Sequence, residues 1–134
     1  YPLPEKLIGA NSEFYLKSKL KMWGNTKSFI EPKAMKEYLR CFAKKSTIHA
    51  SCEDYRAAAS IDLKHHNRDR KKKINCPVLI LWGKNGTLDK LYNPVKEWKK
   101  WANNVIGYSL KCGHFLPEEK PKDTLKAILK FCKE

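Results

Sequence analysis

No apolar run in the chain approaches the ~18 residues that cross a bilayer, so no segment reads as a membrane span. The N-terminal stretch YPLPEKLIGANSEF has no apolar core of the kind a secretory signal carries. It also has no initiator Met, which suggests a chain that begins partway through a longer gene product. The cysteines include no CxxC pair and no zinc-ligand spacing. Cys41, Cys52, Cys76, Cys112 and Cys132 are odd in number and scattered. They read as small hydrophobes in a reducing, cytoplasmic setting rather than as a disulfide framework. Arginine is scarce: of the 28 basic residues only 4 are Arg. Base and phosphate recognition favours Arg, so the net charge of +14 reads mainly as a solvated Lys-rich surface. Only RDRKKK, Arg68 to Lys73, forms a compact basic run. Internal repeats and low-complexity segments are absent as well.

What remains is a globular composition. The 134 residues are 42% hydrophobic, 11% aromatic and 31% charged, enough for one domain or a piece of one. Up to about Lys45 the pattern is helical. Asn11 or Ser12 is placed to cap a helix whose Leu16, Leu20 and Trp23 share a face, and Gly24 is placed to end it. Pro32 suits the first turn of a second helix carrying Ala34, Met35, Tyr38, Leu39 and Phe42. Ahead of both, YPLPEKLIG reads as a proline-punctuated lead-in.

From Ser46 the elements alternate. A helix is expected from Ser46, as a cap, to about His66. The run CPVLILWG has no polar alternation, which fits a strand near 77–82 covered on both faces of a parallel sheet. A helix with Leu91, Val95, Trp98 and Ala102 on one face leads to a second strand, VIGYSL, at 105–110. A last helix carries Leu125, Ile128, Leu129 and Cys132 at helical spacing. The fold class is therefore α/β, with two parallel strands joined by a right-handed crossover. Two strands do not make a covered sheet, so the pattern reads as the end of a larger one with an exposed edge.

Sites in open parallel sheets gather at the carboxyl ends of the strands. His114 falls just past the second strand, after Gly113, in SLKCGHFLPEE. In the nucleophile–acid–histidine order of the α/β-hydrolase triad, a histidine before the C-terminal helix takes the final place. Position alone leaves a solvent-exposed loop histidine equally open.

Three blocks, TIHASCEDYRAAASIDL, CPVLILWGKNG and LKCGHFLPEEKPKDTL, occur in an order that resembles the C-terminal half of the haloacetate (fluoroacetate) dehalogenases, α/β-hydrolases related to the epoxide hydrolases. PLPEKLIGANSEFYLKSKL resembles part of that family's helical cap. The resemblance implies a cap remnant at 1–45 and the C-terminal part of the core at 46–134. It implies an Asp nucleophile that displaces halide, and a histidine that activates water against the resulting ester. On this chain His114 corresponds to that histidine and Tyr55, in CEDYRA, to a halide-binding tyrosine. No cofactor and no metal are implied.

The departures bear on activity. No nucleophile elbow occurs in the chain. The family's elbow, its carboxylate-binding arginines and its oxyanion hole lie upstream of the position matching Tyr1. Relatives that carry the triad acid after the seventh strand place an Asp in a turn that reads Trp82-Gly83-Lys84-Asn85-Gly86 here, and Asp89 is out of place. Bland readings fit the other candidates. His49 sits near a helix start, and His65 and His66 sit at a solvated helix end beside the basic run. Arg56, with Glu53 and Asp54, is suited to local pairing. Without the resemblance, Tyr55 could equally be a packed core residue.

The expectation is a catalytically incomplete part of a dehalogenase-like hydrolase that self-associates or joins a complementary N-terminal chain. A small 2-haloacid becomes its substrate only when the site is completed. The alternative is a non-catalytic basic domain that binds a polyanion or a protein partner.

Overall fold

The computed structural model describes residues 2–25 and 29–133. The residues form two compact units, Tyr1–Leu20 with Glu31–Lys71, and Lys21–Ile30 with Lys72–Glu134.

The first unit is helical. α1 spans Leu3–Ala10, α2 begins at Ser12 and runs to Trp23, α3 spans Pro32–Phe42, α4 Lys45–Ala58 and α5 Ile61–Asp69. α1 replaces the lead-in expected there. Pro4 falls in its first turn, where the missing N–H has no helical partner to lose. Asn11 caps α2 as expected, its Oδ1 accepting the Phe14 N–H at 3.0 Å. Pro32 opens α3, also as expected. The long helix expected from Ser46 is two helices. It starts one residue early without a side-chain cap from Ser46, and it breaks at Ala59–Ser60 before α5. α4 packs against α1, α3 and α5. Its Ile48 and Cys52, one turn apart, form its buried face. Tyr15 of α2 stacks on Phe42 of α3 with centroids 6.0 Å apart.

The second unit holds the sheet. β1, Val78–Gly83, pairs in parallel with β2, Val105–Leu110, in a register from Val78↔Val105 to Gly83↔Leu110. An isolated bridge between Ile74 and Ala102 precedes it. The connection is not the single helix expected. α6, Thr87–Leu91, and α7, Pro94–Trp98, are separated at Tyr92–Asn93. Pro94 cannot continue a helix from before it but can begin one, and Asn93 Oδ1 caps the new start by accepting the Lys96 N–H at 3.0 Å. α8, Leu116–Glu119, and α9, Pro121–Phe131, close the chain.

Burial here is one-sided. α9 packs against β1 and α8 through Thr124 and Ala127, whereas Leu125, Ile128 and Leu129 are exposed. The apolar stripe is real, but it faces away from β1. Ile106 and Tyr108 on β2 are 45% and 47% exposed. β1, read as a fully covered strand, is only half-buried except at Gly83.

Candidate active site

Both strands end in turns that meet through glycine. After β1, the Lys84 N–H donates to the Leu110 carbonyl at 2.8 Å and the Asn85 N–H to the Cys112 carbonyl at 3.0 Å. The parallel pairing thus continues past the last strand residues. A Cβ on Gly83 would lie 1.7 Å from the Gly113 carbonyl oxygen. A Cβ on Gly113 would lie 2.6 Å from the Asn25 nitrogen and 2.8 Å from Glu119 Oε1. No side chain fits at either position.

This close approach carries His114 just past the carboxyl end of β2. Its N–H donates to the Trp23 carbonyl at 3.0 Å. Its exposed ring stands between two aromatics, edge-on to Trp23 at 5.2 Å and to Phe115 at 5.1 Å between centroids. Phe115 is stacked in turn on Phe29 at 5.5 Å. The ring opens on a cleft of about 460 Å³ lined by Trp23, Asn25, Asn85, Thr87, Lys90 and His114. The last turn of α2 therefore reaches the strand ends within this unit.

Among the described residues no carboxylate contacts the His114 imidazole. Asp89 accepts the Trp82 indole N–H at 2.6 Å and lines a separate cavity of about 550 Å³ with Tyr92 and Lys96. Glu119, which the sequence did not single out, accepts backbone N–H groups around the histidine instead of bonding its ring. A Glu in the first turn of a helix, returning to a backbone N–H before it, was the available signal. Cys112 is buried directly before Gly113, and burial pushes its thiol pKa up.

Tyr55 lies in the other unit, on α4, with 69% of its surface exposed, so it is not a packed core tyrosine. Arg56 beside it donates to both Glu5 oxygens, at 2.6 and 3.0 Å, and to Glu53 at 2.6 Å. His49 Nδ1 lies 3.3 Å from Glu5. The Arg56 hydrogen bonds outweigh partial burial and hold the Glu5 carboxyl down at about 2. Glu5, His49 and Glu53 have ligand atoms within 4.8 Å of one another, as a metal would need, but the guanidinium already supplies the positive charge there. His65 and His66 are exposed on α5.

No protein-family model matches the chain. It is 32% identical over 131 residues to the fluoroacetate dehalogenase of a Burkholderia species, covering 97% of this chain and 43% of that protein. It is 32% identical over 96 residues to the soluble epoxide hydrolase of Corynebacterium sp. strain C12, covering 71% and 32% of the two chains. A protein of Nostoc sp. PCC 7120 assigned to the α/β hydrolases superposes with a TM-score of 0.96 at 52% identity, over 98% of this chain and 45% of that one. The chain thus spans less than half the length of these relatives. It carries the C-terminal part of the α/β-hydrolase fold and belongs with the dehalogenase-like and epoxide-hydrolase-like members of that superfamily.

Proposed function

We propose that this chain supplies the histidine-bearing part of a haloacetate dehalogenase-like hydrolase and is catalytically incomplete alone. The observation that carries the reading is the His114 imidazole, exposed to a cleft at the carboxyl end of β2 and unpaired with any carboxylate among the described residues. In this reading neutral His114 takes a proton from water as that water attacks an ester formed on a nucleophilic Asp. Tyr55 donates its O–H to the departing halide; its exposed ring on α4 supports this role. The Asp, the oxyanion donors, the triad acid and the groups that bind substrate carboxylate come from a complementary N-terminal hydrolase segment. Residues 1–45 correspond to cap and 46–134 to core. The chemistry calls for no cofactor. No described helix is long and apolar enough to cross a membrane. The five cysteines are all free, which favours a reducing cytoplasm.

The test is halide release from fluoroacetate or chloroacetate. The 134-residue chain alone should release none above a His114→Ala control, because loss of a triad nucleophile costs on the order of a millionfold. Adding a polypeptide that carries the missing half should start release. In that complemented enzyme His114→Ala should stop ester hydrolysis and let the partner accumulate with its Asp alkylated as the ester. Tyr55→Phe should slow halide departure by about 10- to 100-fold, the worth of one hydrogen bond to a charged group. Release by the unaccompanied chain above its control would overturn the proposal, as would a complemented enzyme indifferent to His114→Ala.

A further inference from the structure

Glu119 ends the short α8, yet its carboxylate reaches back along the chain. It accepts the N–H of Gly113 at 2.7 Å, of Phe115 at 3.2 Å and of Asn25 at 3.2 Å. The first two flank His114 in sequence. The third follows Trp23 by two residues, and Trp23 presents its carbonyl to His114 N–H and holds its ring in a T-shaped contact with the imidazole. An ionised carboxylate is acceptor-only, with about four lone-pair sites, so a single side chain suits three converging donors. Hydrogen bonds from N–H to a charged acceptor are also stronger than neutral ones. The absence of room for a Cβ on Gly113 belongs to the same arrangement, since Glu119 Oε1 and Asn25 N stand where it would go.

We propose that Glu119 is a positioning residue for His114: one carboxylate clamps the 113–115 loop to the 23–25 segment and thereby fixes the imidazole against Trp23 at the cleft. The catalytic consequence rests on reading His114 as the base, but the clamp itself does not. Glu119→Gln keeps the size of the side chain and replaces one acceptor oxygen with an amide NH2, which cannot accept. Glu119→Asp keeps the charge and withdraws it by one methylene. Neither variant satisfies all three donors.

Heteronuclear NMR on the full chain tests this. In the unaltered chain the amides of Asn25, Gly113 and Phe115 should exchange slowly, and the His114 ring protons should show NOEs to Trp23. In Glu119→Gln those NOEs should vanish and the three amides should exchange at least about tenfold faster, while the paired amides of β1 and β2 keep their protection. A carboxylate that only stabilised the fold would change all protected amides together and leave the ring contact intact, which would overturn the clamp. Fast exchange of these amides in the unaltered chain would also overturn it, a result that does not depend on the variant folding. In the complemented enzyme, Glu119→Gln should lower kcat about a hundredfold with KM little changed, the scale of a small misplacement of a reacting group. Activity indifferent to His114→Ala would remove the base reading and leave the exchange result to judge the clamp.

Discussion

The thiol of Cys112 sits one residue before the glycine that turns the chain into His114, and it is only 1% exposed. Burial raises its pKa, so the reactive thiolate is scarce as well as inaccessible. Cys52 is buried too, whereas Cys76 and Cys132 are exposed. A thiol reagent such as an aromatic disulfide should therefore modify Cys76 and Cys132 in the native chain. Cys112 should react at least about a hundredfold more slowly until the chain is denatured, as peptide mapping of a modification time course would show. Equal native rates would contradict the burial. At this scale the sequence was legible where chemistry is local: a histidine after a glycine at a strand end can be read directly. Glu119 was legible only in part: its bonds to the loop it follows are local, but the donor from residue 25 lies far away in the sequence. The bond from the Trp82 indole to Asp89 was silent, since nothing in the spacing distinguishes a free acid from one held by a side chain seven residues back.

Among elements, α1 and α4 are tied by charge as well as by packing. Arg56 of α4 grips both oxygens of Glu5 on α1 and holds its pKa at about 2, below the ordinary 4.5. A carboxyl depressed in the folded state contributes its full stabilisation above the unfolded pKa and loses it as pH falls through the folded one. The contribution should therefore be intact above about pH 4.5 and fade towards pH 2. Glu5→Gln should lower thermal stability at neutral pH and flatten the loss on acidification. Circular dichroism melts of the two chains between pH 6 and pH 2 would converge at the acid end; parallel curves would show that the tie is inert. Two boundaries depart from the sequence pattern at prolines, which can open a helix as well as end one. Leu91, Val95, Trp98 and Ala102 keep helical spacing across Asn93–Pro94, yet the proline forces a new start. Pro2 and Pro4 suggested a lead-in, although a proline in the first turn is compatible with a helix. The strands were clearer, because their apolar runs are short and lie between turns.

Across the whole molecule, a sequence pattern that asks for burial meets a structure that leaves it exposed. Ile106 and Tyr108 of β2 and the outer stripe of α9 are exposed apolar surface of the kind that further elements cover in a larger fold. The chain should consequently self-associate until a complementary segment is supplied. The net charge of +14 opposes such contacts, and ~0.15 M salt screens charge beyond about 8 Å, so association should grow with salt. Light scattering across concentration and salt would follow it, and a dispersed monomer at high concentration and high salt would contradict it. A polyanion site predicts the opposite trend for its own ligand, since binding carried by lysines weakens as salt rises. The family was legible here because three blocks between residues 47 and 125, together with the cap-like opening stretch, keep their order along nearly the entire chain. The meeting of Gly83 with Gly113 has a consequence for inheritance. A methyl group at residue 83 would collide with a main-chain oxygen, an atom that every amino acid at residue 113 carries. No replacement at residue 113 can therefore compensate, and a lineage that loses the glycine at 83 regains this turn by reversion at that same codon.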